Sequence, residues 1–377
     1  MIYVYIKYIL STIAYFYKNI YKTYKHNTSN DNKYMCILIT SIYILYVFFI
    51  HLIGNTIVIS FELPSVFKEW HCVNFVKNID TKKPYPFRIG DLPLISWYDN
   101  KFNKTYTTVN ICTHMGSKLD NGIINNGCLV CPFHGMQYSE EKTFGETMIY
   151  QDKLWWSYEP STCKPPSTPF YNNKDYSATN ICMDVDANII DCVLNTMDVN
   201  HPQNYNMLIP PKRIKIFKYV DKNKVGVSFK HKVYINKNKG ITENINYYNM
   251  FKYPYNTWIR TTLPNKQQSI MNIDFTPIGI DKTRWFITMK NNRETRNIFT
   301  KPFMYYYANQ YKELLNNNQA LHTDLKKLVI RQDVMANENH LDDIYRMFEK
   351  YKYPDNNMVC NLYKYHKKKL YDNDTEL

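Results

Sequence analysis

Residues 112–135 read C-T-H-M-G-S-K-L-D-N-G-I-I-N-N-G-C-L-V-C-P-F-H-G. The stretch opens with Cys112 and His114 and closes with Cys131 and His134, and sixteen residues separate His114 from Cys131. Each short loop therefore offers one thiolate and one imidazole. Gly116 and Gly135 follow the ligands, where the chain must turn tightly, and Pro132 stiffens the second loop. Cys128, three residues before Cys131, makes a C-L-V-C pair that could be half of a zinc knuckle.

Two metals suit this set. Zinc accepts Cys2His2 in a tetrahedron, but zinc sites usually group Cys with Cys and His with His. A Rieske [2Fe–2S] cluster takes two Cys on one iron and two His on the other. Mixed half-sites let each loop give one ligand to each iron, so the order favours the cluster, with structural zinc as the alternative.

W-H-C at 70–72, C-T-H-M-G-S-K-L at 112–119, G-C-L-V-C-P-F-H-G at 127–135 and F-G-E at 144–146 together resemble a Rieske non-haem iron oxygenase. The resemblance is to oxygenase components of 3-ketosteroid hydroxylases and to Neverland-type cholesterol desaturases, with plant chlorophyll-breakdown oxygenases more distant. It covers about residues 66–365, dense over the first hundred and thin afterwards.

It implies a second centre, a mononuclear Fe(II) held by two His and a carboxylate with positions left open. Such ligands begin in a segment of the form N-x-x-D-x-x-H-x4-H. Here Asn195, Asp198 and His201 match, but Asn206 stands where the second His belongs, and the next histidine is His231. The third ligand maps to Asp333 in R-Q-D-V-M-A-N. By the same resemblance Asp198 is the bridging carboxylate that links a mononuclear His to a cluster His of a neighbouring subunit, in a homotrimer. Three readings of Asn206 stand: a neutral, weaker ligand; replacement by His231 or another group; or loss of the second iron.

Around this centre the chain has 377 residues, enough for two domains and an extra segment. Its 47 basic and 33 acidic residues give a net charge of +14, yet no nucleic-acid motif accompanies that charge, so nucleic acid is not an expected partner. Nine cysteines scattered over this length do not make a secreted disulfide framework. No G-x-G-x-x-G occurs, so electrons are expected from a separate NAD(P)H-dependent reductase or ferredoxin.

Residues 1–60 read as a hydrophobic membrane-anchor region. Met35–Ile53 contains no Lys, Arg, Asp or Glu and spans ~28 Å as a helix, enough to cross a bilayer. Residues 1–17 could add a second or an interfacial helix. One span with the catalytic body facing the cytosol agrees best with a supply of reductant. Residues 66–165 alternate short apolar runs with Asn, Asp, Gly and Pro, an antiparallel β domain carrying the cluster. Strands are expected at Pro93–Trp97, Tyr106–Ile111, Leu129–Cys131 and Leu154–Tyr158.

Pro160, Pro165, Pro166 and Pro169 mark a boundary. Residues 170–350 then hold a catalytic, substrate-binding domain, with strands expected at Arg213–Tyr219, Val225–Phe229, Ser269–Pro277 and Trp285–Met289. Helix is expected from Pro302 to Phe348. Residues 351–377 form a basic tail, in which K-Y-H-K-K-K-L at 364–370 reads as a frayed, solvated helix, ahead of a dock for an acidic electron donor or lipid headgroups. The fold class is α+β: an N-terminal membrane helix, an antiparallel Rieske domain, and a helix-grip-like antiparallel sheet with a long C-terminal helix. The implied function is oxygen-dependent hydroxylation or desaturation of an apolar small molecule, a sterol before a tetrapyrrole. The competing reading is a non-catalytic electron carrier.

Overall fold

The computed structural model describes residues 63–199, 216–236, 239–264, 266–292 and 339–374, with isolated positions between 305 and 315. The proposed membrane segments, and His201, Asn206 and Asp333, lie outside the described residues. No helix among the described residues is long and apolar enough to cross a membrane. The described residues form one compact unit.

Three small antiparallel sheets build its first part. β1 (His71–Phe75) pairs with β9 (Lys153–Ser157), which pairs with β8 (Glu146–Tyr150). β2 (Tyr85–Ile89), β3 (Leu92–Asp99) and β4 (Lys104–Val109) form a meander. β5 (Ile123–Asn125), β6 (Cys128–Val130) and β7 (Gln137–Tyr138) form the third sheet. The four strands expected here are present as β3, β4, β6 and β9, within two residues at their ends.

The second part is a seven-stranded antiparallel sheet. It comprises β10 (Tyr176–Val185), β11 (Phe217–Asp221), β12 (Lys224–Asn236), β13 (Ile241–Lys252), β14 (Asn256–Thr262), β15 (Gln268–Gly279) and β16 (Lys282–Asn292). The order β10-β16-β15-β14-β13-β12-β11 puts the first strand beside the last, and the others follow as hairpins. Helix α1 (Ile189–Met197) packs against β13 to β16 through its buried Ile189, Cys192, Val193, Thr196 and Met197. Asn188 caps its start, accepting a hydrogen bond from the Asp191 N–H at 2.9 Å. Helix α2 (Asn339–Phe348) lies on α1 and β12.

Helix α3 (Asn356–Asp374) corrects the expectation of a frayed, solvated tail. Leu362 is buried, and His366 lies 4.6 Å from the Phe144 ring and 3.1 Å from the Tyr158 hydroxyl. The residues among the lysines therefore include an anchoring face, and Lys369 adds an ion pair to Glu159 at 2.9 Å. The chain reaches α3 through Pro354, whose carbonyl accepts the Asp91 N–H at 2.9 Å.

The two parts meet through buried polar contacts. Thr276 Oγ1 donates to the Cys72 carbonyl at 2.7 Å, and the Gly90 N–H donates to Pro277 at 2.7 Å. Lys153 Nζ meets Asp274 Oδ2 at 2.5 Å with both side chains 2% exposed.

Candidate metal centre

The two ligand loops share one hydrogen-bond plan. In the first, the Cys112 N–H donates to the Ser117 carbonyl at 2.7 Å, and the Gly116 N–H donates back to Cys112 at 2.8 Å. In the second, the Cys131 N–H donates to Met136 at 2.8 Å, and the Gly135 N–H donates back to Cys131 at 3.2 Å. Each loop thus closes over its cysteine with a bond from four residues on and another to five residues on. Both glycines have the left-handed backbone this closure requires, φ +75° at Gly116 and +72° at Gly135. A Cβ at either would meet nothing within 4 Å, so backbone conformation and not crowding selects glycine there.

The plan sorts the four side chains by depth. Cys112 and Cys131 are buried at 2% and 3% exposure, in a cluster with Ile95, Trp97, Tyr106, Leu119, Leu129 and Tyr138. His114 and His134 are exposed, their ring centres 4.9 Å apart and nearly perpendicular at 87°. A sulfur pair inside and an imidazole pair outside is the arrangement one iron with two Cys and one with two His would need. Two donors at each depth fit a pair of irons with two protein ligands each. Cys128, the half-knuckle candidate, sits in β6 opposite Asn125.

Neighbouring groups tune the sulfurs. Burial pushes the Cys131 thiol up. Hydrogen bonds from the Ser117 hydroxyl (3.4 Å), the Phe133 and His134 N–H groups and the Cys112 thiol outweigh it, bringing Cys131 down to about 7. The Tyr138 hydroxyl accepts the Thr113 N–H at 2.8 Å, tying the first loop to β7. Asn110 braces the same loop, accepting the Leu119 N–H at 3.0 Å and donating to Asp120. Sequence reasoning missed Ser117, Tyr138 and Asn110; only the folded loops bring them to the ligands. Met115, Phe133 and Ile111 leave an apolar, exposed collar beside the histidines, at 74%, 70% and 46% exposure.

Of the expected second site, Asn195, inside α1, and Asp198 lie among the described residues. Asp198 terminates α1 with an extended backbone (φ −63°, ψ 118°), its N–H bonded to the Leu194 carbonyl at 3.0 Å. His231, weighed from sequence as a replacement ligand, lies on β12, fully buried, with Nε2 donating to the Val199 carbonyl at 3.0 Å. A second buried histidine, His340 of α2, donates from Nε2 to the Met197 carbonyl at 3.0 Å. No motif pointed to it.

Comparison with known proteins gives the same picture. Residues 69–148 match the model of the Rieske [2Fe-2S] domain. Pheophorbide a oxygenase of Oryza sativa subsp. japonica is 31% identical over 70 residues, 18% of this chain and 13% of that protein. The corresponding Arabidopsis thaliana protein is 30% identical over the same length. The chain therefore matches only a small part of these relatives' length. Among solved structures, dicamba monooxygenase bound to dicamba superposes with a TM-score of 0.64 at 16% identity, over 76% of this chain and 97% of that one. A structure of dicamba monooxygenase with non-heme iron and dicamba gives 0.56 at 15% identity, over 76% and 96%. These likenesses extend the shared fold through the seven-stranded sheet. Residues 69–148 are thus a Rieske [2Fe–2S] domain, distantly homologous to those of Rieske oxygenases, with the ligand loops at its exposed tip.

Proposed function

We propose that the chain is the catalytic component of a Rieske-type non-haem iron oxygenase. The observation that carries this reading is the pairing of an exposed imidazole edge with a helix end. His114 and His134 open to solvent, while α1 ends at Asp198 against a seven-stranded antiparallel sheet. Cys112, Cys131, His114 and His134 would hold the cluster, which when bound supplies one-electron transfer. His201 and Asp333, with Asn206 as a weak third donor, would hold a mononuclear iron.

The protein's own groups do the rest. The buried Cys pair and its apolar surroundings keep water from the sulfurs, and Ser117 and the loop N–H groups offset their negative charge. The outward imidazoles present the route by which reductant enters, from a separate reductase or ferredoxin. Asp198 would bridge to a cluster His of a neighbouring subunit in a trimer.

The substrate we infer is an apolar polycycle; sterol and tetrapyrrole are the two to assay, the first from the motif resemblance and the second from the pheophorbide relatives. Met35–Ile53 would anchor the protein at a membrane, where such substrates partition.

Metal content tests the reading. The chain, purified anaerobically, is assayed for iron and zinc, and the reduced form is examined by electron paramagnetic resonance. Three irons per chain with a Rieske-type spectrum is the expected result. Zinc without that spectrum would overturn it.

A second reading, a non-catalytic electron carrier, is favoured by one observation: Asn206 in place of a histidine. Two irons with the same spectrum would support it. Asn206→His then separates a weakened site, where the variant gains iron and turnover, from a carrier, where neither changes.

A further inference from the structure

We propose that the lysine face of α3 docks on an anionic lipid surface; this builds on the membrane-anchor reading above. In α3, Cys360, Lys364, Lys367 and Lys368 follow the i, i+4, i+7, i+8 spacing that puts side chains on one face of a helix. All four are exposed. The opposite face carries the buried Leu362, His366 bonded to the Tyr158 hydroxyl at 3.1 Å, and Lys369 paired with Glu159 at 2.9 Å. The helix is thus held down on one side and presents three cations on the other. Its only acids, Asp372 and Asp374, come after the lysines.

The place where the chain enters the compact unit favours lipid as the occupant. The 3-10 turn Ser65–Lys68 stands at that entry. Its Phe67 carbonyl accepts the Tyr158 and Glu159 N–H groups at 3.0 and 3.2 Å, and its Lys68 carbonyl accepts the Ser161 N–H at 2.8 Å. Tyr158 and Glu159 are the residues whose side chains hold α3. The entry turn and the lysine helix therefore attach to the same stretch. Ile53, the last residue of the uncharged run, precedes Leu63 by ten residues, a reach of at most about 36 Å for extended chain.

An anchor ending at Ile53 keeps α3 within that reach of the headgroups. A tethered cationic face meets an anionic surface at high effective concentration, and each lysine near such a surface strengthens attachment about fivefold. An acidic protein would satisfy the same charges without the tether. Docking through α3 also orients the Rieske domain, because the helix packs on its Phe144 and Tyr158.

The test uses the full chain, reconstituted with phosphatidylcholine vesicles or with vesicles containing phosphatidylserine, and the triple variant Lys364→Gln, Lys367→Gln, Lys368→Gln. Flotation reads attachment. The rate at which N-ethylmaleimide modifies Cys360, followed by peptide mass spectrometry, reads contact of the lysine face, since this exposed thiol lies on it. Expected is flotation with both vesicles, and Cys360 at least about fivefold slower on the anionic ones. That slowing should vanish in about 1 M salt, where the screening length falls to about 3 Å, and be absent in the triple variant. Equal Cys360 rates on both vesicles overturn the docking, and flotation with phosphatidylcholine then leaves the anchor standing. Flotation with anionic vesicles alone, lost in salt and in the variant, overturns the anchor and supports the docking. Flotation with neither overturns both. Slowing of Cys360 by an acidic plant-type ferredoxin, and not by anionic vesicles, overturns the docking in favour of a protein partner.

Discussion

The Lys153 ammonium and the Asp274 carboxylate, 121 residues apart in sequence, meet at 2.5 Å where the Rieske domain lies on the seven-stranded sheet. Asn256 donates to the other carboxylate oxygen at 2.6 Å and Asn272 to the shared one at 3.0 Å. The ammonium also faces the Phe75 and Trp155 rings at 5.8 and 5.9 Å. Three donors on one buried carboxylate fix the angle between the two parts. Removing the lysine strands that charge, which costs about 3–5 kcal/mol for a buried pair. Lys153→Met should therefore unfold at much lower denaturant than the parent, while the double variant Lys153→Met with Asp274→Leu recovers most of the loss. A double-mutant cycle in urea measures the difference, and additive losses would contradict it.

The glycines give a graded prediction. At Gly90 (φ +57°) a Cβ would come within 2.3 Å of the Pro354 ring and 2.7 Å of its carbonyl. Gly90→Ala adds that overlap, at a junction to the C-terminal helix, to a left-handed backbone cost of about 1–2 kcal/mol. Gly116→Ala meets only the backbone cost, since nothing stands near its Cβ. Thermal melts should show a clearly larger drop for Gly90→Ala.

How much of this was legible follows from where the information sits. β3, β4, β6 and β9 were readable because turn residues are local signals, and the Cys/His spacing singled out the two loops that share one hydrogen-bond plan. β10, β13 and β14 were not. The sequence of β13, I-T-E-N-I-N-Y-Y-N-M-F-K, is rich in Asn, which propensity assigns to turns, and cross-strand pairing with β12 and β14 overrides it. His366 of α3 was hidden among lysines, because its partners Phe144 and Tyr158 lie about two hundred residues away. The buried His231 and His340 could not be found from any spacing, since each meets a backbone carbonyl.

Ser117 gives an electrochemical prediction. Its hydroxyl lies 3.4 Å from the Cys131 sulfur. Hydrogen bonds to cluster sulfurs stabilise the more negative, reduced state, and one to a charged group is worth about 1.5–3 kcal/mol. Ser117→Ala should lower the reduction potential, by at most about 130 mV, since only the part of the bond's strength that differs between the two redox states counts and 59 mV is tenfold for one electron. Voltammetry of the loaded protein reads this directly. An unchanged potential would mean the hydroxyl turns elsewhere.

Glu69 and His71 oppose each other in pH dependence. Burial raises the Glu69 carboxyl to about 7, with Lys252 partly countering, and burial lowers the His71 imidazole to about 4. A raised acid contributes stability below its unfolded value near 4.5 and loses it as pH rises through 7. A lowered histidine contributes stability above its unfolded value near 6.5 and loses it as pH falls toward 4. Over the overlap, from about 4.5 to 6.5, the folded state holds an extra proton on Glu69 and the unfolded state an extra one on histidine. The slopes therefore cancel there in part. Glu69→Gln removes one side of the balance. Its stability should come close to the parent's near pH 5, where Glu69 is protonated in the fold, exceed it increasingly up to about pH 7, and keep a constant margin above that, where the carboxylate is ionised in both states. Below pH 6.5 the variant should lose stability more steeply as pH falls, because His71 then acts without compensation. Urea midpoints at pH 5, 6.5 and 8 distinguish this from a simple surface effect, which would shift all three midpoints alike.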